Sequence, residues 1–211
     1  MAYAYMPITL AMTQRRCLVV GGGAVAARKV DALLNYEASV IVVAPEVDDR
    51  LVQCAEQGWI TWEKRPYRPG EVAGYGLVIA ASGDNDVNRR VSEDCRTAGV
   101  LVNVVDDPKR CDFAFPAVVR RGCLTAAIAT DGQAPFMARH LRSILASIFP
   151  EHWTQVMHHA ADFRRRVQKR WGADVQKKEA CYDRFLEADW KSLLEQKSEE
   201  DIDRELAHMV E

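Results

Sequence analysis

The sequence predicts an α/β fold: a parallel sheet covered by helices, followed by a small α+β region and a helical C-terminal part. Three observations carry this expectation. Over the first 105 residues, short and nearly continuous apolar runs alternate with amphipathic stretches. Such runs suit parallel strands buried on both faces and joined by helices. The first run, RRCLVV, ends in three consecutive glycines that lead straight into an amphipathic stretch. After Asp106 the rhythm changes to two β-like runs, and from His152 onward there is almost no strand signal.

Taken in order, strands are expected at residues 17–20, 39–44, 59–63, 77–81 and 100–104, with helices at 24–34, 49–57 and 84–98. Pro45 stops the second strand and Gly58 ends the second helix. RPYRPGEVAGY, with two prolines, reads as a loop or weak helix. Runs at 115–119 and 123–129 are separated by RRG, a turn signal that predicts an antiparallel pair. A helix at 136–148 follows TDGQAP, and Pro150 punctuates. Two helices, 152–171 and 176–194, are expected around Gly172, with a short third at 199–209. The expected division is 1–112, 113–150 and 151–211.

Composition narrows the classes. The 211 residues are 48% hydrophobic and 27% charged, ordinary values that exclude disorder throughout. A formal charge of −2 gives no reason to expect a nucleic-acid partner. The six cysteines include no CxxC pair, and a chain of this size builds a core without disulfides. MAYAYMPITLAM shows no basic leader, and no apolar run approaches the length of a membrane span. The expectation is a soluble cytoplasmic protein with no membrane partner. The five histidines lack the spacing of a closed metal site. RRRVQKR, residues 164–170, reads as the solvated side of a helix whose other side carries Phe163, Val167 and Trp171.

GGGAVA carries the first chemistry. Gly21 permits a tight turn, Gly23 lets the backbone approach a pyrophosphate, and the small Ala26 allows close packing of helix on strand. The helix that begins near Ala24 and Val25 aims free N–H groups and its positive dipole end at the phosphates. Three glycines alone are a weak signal, but between a buried strand and a helix they mark a Rossmann-type dinucleotide site. Gly21, Gly22, Gly23, Ala24 and Val25 are its candidate residues. The second strand ends VIVVAPEV, with no carboxylate to grip a ribose, so Ala44 and Pro45 line that position and Glu46 lies just beyond. Nothing basic but Arg50 is near, which favours NAD over NADP. The loop AASGDNDVN places Ala81, Ser82 and Asp84 beside the cofactor, although Asp84 equally suits a helix cap.

The second signal is VLVNVVDDPKRCDF. Asp106 and Asp107 follow the fifth strand at the carboxyl edge, where open α/β sheets bind ligands. Asp106 there either takes a proton or holds a cation, or is simply the start of an Asp-Asp-Pro turn. Arg120, Arg121, Arg139 and Arg142 form either a solvated face or a pocket for an anionic substrate.

With these motifs in place, the sequence resembles the precorrin-2 dehydrogenase/ferrochelatase module of siroheme synthesis. MPITL, CLVVGGGAVAARKVDALL, IAASGDNDVNRRVSEDC, VLVNVVDDPKRCDFAFPAVVRRGCLTAAIATDG and QAPFMARHLRSIL carry the likeness in order and spacing, from about residue 6 to about residue 195. The resemblance implies that precorrin-2 is oxidised to sirohydrochlorin with NAD⁺, and that many members then insert Fe²⁺ as a substrate. It implies a homodimer, with the middle region supplying much of the contact and the helical part covering the site. It makes Asp106 the catalytic residue, with a role in metal handling. Asn103, Arg120, Thr130 and Arg139 become candidates for substrate binding. The likeness has departures. ATDGQAP puts Asp131 where a glycine is usual, and His140, where another residue is more common, is either a metal or proton-transfer residue or a solvated one. No methyl transfer from S-adenosylmethionine is expected of these residues. The competing reading is a non-catalytic NAD-binding sensor, which needs the glycines but not Asp106.

Overall fold

The computed structural model describes residues 5–211. Met1 to Ala4, the start of the stretch read above for a leader, lie outside the described residues. The chain divides into two compact units, one ending at Phe115 and the other spanning Pro116–Glu211.

In the first unit, β1 (Arg16–Val20), α1 (Ala24–Leu34), β2 (Ser39–Val43), α2 (Asp49–Glu56), β3 (Ile60–Glu63), β4 (Leu77–Ala80), α3 (Asn85–Ala98) and β5 (Val102–Val104) alternate as expected. All strand pairs are parallel, in the order β3-β2-β1-β4-β5. Both faces are buried. Cys17 and Val19 pack under α1 and α2, while Leu18 and Val20 pack with Val91 and Cys95 of α3. The apolar run therefore needs no polar alternation. On α1, Ala26, Ala27, Val30 and Leu33 form the buried stripe. Asp84 starts α3 by accepting from the backbone N–H groups of Asp86 and Val87. Gly99, left-handed at φ +67°, ends it.

Register decides where a site can form. Val20 pairs with both Val43 and Ala80, and Ala80 pairs with Val104. The carboxyl ends of four strands are therefore level. The chain leaves β1 toward β2 on one side and returns to β4 on the other, so the loops diverge above β1 and β4. Ligands bind at such a switch point.

In the second unit, β6 (Ala117–Arg121) and β7 (Leu124–Ile128) are antiparallel, as the RRG turn predicted. Gly122 turns the hairpin at φ +56°. After α4 (Pro135–Ile148) come α5 (Trp153–Trp171), α6 (Val175–Glu187), α7 (Trp190–Gln196) and α8 (Glu199–Val210). Phe163, Val167, Cys181, Phe185, Ile202 and Leu206 are the centre of their core.

Two expected elements differ, and one open alternative is decided. The single helix expected over 176–194 is two, because Ala188 is extended and the Asp189 side chain caps a new start by accepting from the Ser192 N–H. The Trp190 indole N–H donates to the Phe185 carbonyl at 2.8 Å, and the ring packs 4.4 Å from that of Phe185. The strand expected from residue 115 starts at Ala117, since Pro116 has no N–H to donate to a ladder. RPYRPGEVAGY contains no helix; it is a series of turns that buries Val72 and is tied down by the Tyr67 hydroxyl, which donates to Asp94 at 2.6 Å.

Candidate functional site

The three glycines differ in what holds them. Gly21 has φ +119°, and a Cβ there would stand 2.3 Å from the Ala81 carbonyl oxygen. At Gly22 a Cβ would stand 2.1 Å from the Glu46 carbonyl oxygen. Around Gly23 nothing lies within 4 Å. Gly21 and Gly22 are thus required by neighbouring backbone, while Gly23 leaves open space in front of α1. Gly23 is the N-cap of α1, and no side chain satisfies the first-turn N–H groups there. Open space before uncapped N–H groups fits the pyrophosphate of a dinucleotide. Ala24 and Val25 form that first turn.

Past β2, Ala44 is buried and its carbonyl accepts from the Trp62 indole N–H at 2.9 Å. Pro45 and Glu46 are exposed. The Asp48 backbone N–H donates to the Gly22 carbonyl at 2.7 Å, which folds this loop over the glycine turn. Asp48 caps α2 and pairs with Arg50 at 3.0 Å. That pairing holds its carboxyl below the usual range, the Arg50 side-chain hydrogen bond being the largest cause.

Above β4, Ala81 and Ser82 border Gly21. Asp84 serves as the cap of α3, and its own N–H donates to the Ser82 hydroxyl at 3.1 Å. Asn88, 5% exposed, reaches back from α3 to Ser82.

Asp106 stands just past β5, exposed and left-handed at φ +60°. Aspartate tolerates that region better than most residues. The turn beneath it is organised by Cys111. Its sulfur accepts from the Val104 N–H at 3.2 Å and lies 3.3 Å from the Asp107 carbonyl as donor. Burial raises the Cys111 pKa, so the sulfur keeps its proton at neutral pH. Asp107 pairs with Arg110. The Asn103 amide donates to the Phe113 carbonyl at 2.9 Å, so its side chain braces the returning loop.

Two residues here were not singled out in sequence. Cys111 had no signal beyond its thiol. Lys29 sits in α1 behind the surface-type pair Arg-Lys, yet its ammonium is half-buried, 3.8 Å from the centre of the Phe115 ring. Burial pushes its pKa below the usual lysine value, Arg28 adds to this, and Cys111 and Asp106 oppose it.

Arg120, Thr130, Arg139 and His140 belong to the second unit. Arg120 donates to the Gly122 carbonyl at 3.3 Å, and the Thr130 hydroxyl accepts from the Ala134 N–H at the start of α4. Arg139 and His140 are exposed on α4. Asp131 is left-handed at φ +48°. Arg121 and Arg142 donate to the Phe149 and Val118 carbonyls, which are structural tasks. Among the described residues, no three His, Cys, Asp or Glu side chains cluster as metal ligands. No described helix is long and apolar enough to cross a membrane.

Level strand ends, a glycine turn with space before it and an uncapped helix define an α/β dinucleotide-binding module. The chain belongs to the family described as "Putative NAD(P)-binding", which matches residues 8–117. It is similar to siroheme synthase 3 of Aeromonas hydrophila subsp. hydrophila, 38% identical over 185 residues, 88% of this chain and 39% of that one. It is also similar to the siroheme synthase of Nitrosomonas europaea, 39% identical over 168 residues, 79% of this chain and 35% of that one. The chain thus spans less than two fifths of the length of these curated relatives. A solved structure described as SirC, precorrin-2 dehydrogenase, shares the fold with a TM-score of 0.77 at 24% identity, over 98% of both chains. The resemblance to the siroheme-synthesis module is borne out by these relatives.

Proposed function

We propose that this chain oxidises precorrin-2 to sirohydrochlorin with NAD⁺, as a cytoplasmic homodimer in siroheme biosynthesis. The observation that carries the reading is the placement of Asp106 at the same level sheet edge as the open glycine turn. They lie two strands apart, roughly 10 Å at ordinary strand spacing. NAD⁺, when bound, supplies the hydride acceptor. Gly23 and the first N–H groups of α1 would hold its pyrophosphate, and Ala44, Pro45, Ala81 and Ser82 would border the rest of the dinucleotide. The Asp106 carboxylate would accept the proton that the macrocycle releases on oxidation. Insertion of Fe²⁺ into sirohydrochlorin is the second step proposed. The iron is a substrate there, and Asp106 takes protons from the pyrrole nitrogens.

A homodimer is supported by α4. Met137, Leu141, Ile144 and Ile148 recur at spacings of four, three and four, which places them on one stripe. All four are exposed, Ile148 by 54%. A stripe of that kind is what a second copy covers.

The test is anaerobic absorbance spectroscopy with precorrin-2 and NAD⁺, followed by Fe²⁺, beside an Asp106→Ala variant. The wild type should form sirohydrochlorin only when NAD⁺ is present. The variant should lose about 100-fold to 10,000-fold in kcat, the span of a general base, while still binding NAD⁺. A further spectral change on adding Fe²⁺, above the spontaneous rate, is expected of the second step. A chain that binds NAD⁺ and yields no sirohydrochlorin overturns the reading in favour of an NAD-binding sensor.

A further inference from the structure

The β4–α3 loop forms one wall of the glycine turn, and one buried side chain holds it. Asn88 lies in the first turns of α3 and is 5% exposed. Its Oδ1 accepts from the Ser82 backbone N–H at 3.0 Å, and its Nδ2 donates to the Ser82 carbonyl at 2.8 Å. Both backbone groups of one residue are thus met by both ends of one amide, as a neighbouring strand would meet them. No other residue type of that length offers a donor and an acceptor in one plane.

Ser82 is the residue that needs this. β4 ends at Ala80, and the Ala81 N–H still bonds to the Val20 carbonyl at 2.8 Å. Beyond it the ladder stops, and Ser82 has no strand partner. The Ala81–Ser82 peptide nevertheless lies against the glycine turn. The position a Cβ would take on Gly21 is 2.3 Å from the Ala81 oxygen and 2.7 Å from the Ser82 nitrogen. A small shift of this peptide alters the width of the crevice above β1 and β4.

We propose that Asn88 is a positioning residue for the dinucleotide, clamping Ser82 so that the β4–α3 loop stands at a fixed distance from Gly21–Gly23. The inference rests on the reading that the dinucleotide binds at this turn. It goes beyond that reading by assigning part of the affinity to a side chain that does not touch the cofactor. Ser82 itself is only partly buried. Once the clamp is lost, water satisfies the freed N–H and carbonyl, and the loop gains freedom while the sheet stays folded. The cost falls on binding, because the loop must then be ordered at each binding event.

The experiment compares the full chain with Asn88→Leu, a substitution of similar size that can neither donate nor accept. NAD⁺ affinity is measured by titration calorimetry without tetrapyrrole, and steady-state constants are measured with precorrin-2. The dissociation constant and the KM for NAD⁺ should rise about tenfold, equivalent to about 1.4 kcal/mol. The KM for precorrin-2 should stay within twofold. A purely structural role would lower kcat through a smaller folded fraction and leave both KM values unchanged, which would overturn the proposal. Circular dichroism and thermal unfolding of the full chain report whether the variant is folded. Should Asn88→Leu not fold, Asn88→Asp keeps the shape and the acceptor, loses the donor, and is read in the same titration. An unchanged NAD⁺ dissociation constant in a folded variant overturns the clamp and leaves the proposed function intact. A wild-type chain that binds no dinucleotide overturns both.

Discussion

In the first unit, Cys17, Leu18 and Val19 of the central strand are fully buried under helices on both faces. In the second, α4 leaves Met137, Leu141, Ile144 and Ile148 in contact with solvent, while α5–α8 close around Phe163. One unit buries both faces of its sheet under helices. The other leaves the apolar stripe of α4 open. The parallel sheet has to be covered, because its strands are apolar on both sides and the crossover helices lie on them. A helix beside a two-stranded hairpin is under no such constraint.

The largest effect that would sharpen this contrast is expected at Phe163. Its ring stacks 5.0 Å from that of Phe185 and is 1% exposed. Phe163→Ala should cost about 3–5 kcal/mol, the usual range for a buried phenylalanine. The loss should appear in denaturant unfolding followed through Trp153, Trp171 and Trp190, which all lie in the second unit.

Next comes the glycine turn, where neighbours differ. Gly21→Ala sets a methyl group against the Ala81 backbone at a φ that L-residues avoid. It should cost about 2–4 kcal/mol, strain and overpacking together. Gly23→Ala meets nothing within 4 Å at φ −76°, so stability should change by about 0.5 kcal/mol or less. NAD⁺ affinity should nevertheless fall, because the new methyl group occupies the space before α1. Thermal unfolding beside NAD⁺ titration separates the two. Equal destabilisation by both would break the distinction between a packing glycine and an approach glycine.

The smallest effect on the folded chain is expected from Ile144→Glu. The side chain is 42% exposed, so its replacement should leave unfolding nearly unchanged. If the proposed homodimer uses this stripe, light scattering should show a dimeric wild type and a monomeric variant. A variant that remains dimeric would show that the α4 stripe is not the contact.

Much of this architecture is legible in the chain because it follows from local rules. Apolar runs of four or five residues, Gly-Gly-Gly after a strand and Arg-Arg-Gly between two β-like runs each name their element through burial or backbone freedom. The break at Asp189 was not legible. It depends on the Trp190 indole finding the Phe185 carbonyl, and the residues around it are otherwise acceptable in a helix. At the site, the glycine turn and Asp106 stand out by type and position. Cys111 and Lys29 do not, since a thiol reads as a small apolar group and a lysine as surface until their neighbours are known.

The sequence by itself determined the succession of strands and helices, the glycine turn and the carboxylate that follows β5, because each depends on residues adjacent in the chain. Only the tertiary structure decided that Gly21 is pressed by Ala81 and Gly22 by Glu46, that Gly23 is open, and that Cys111 and Asn88 hold the two loops. These are contacts between strand ends brought level by sheet register. Register is a property of paired strands, and no single stretch of chain carries it.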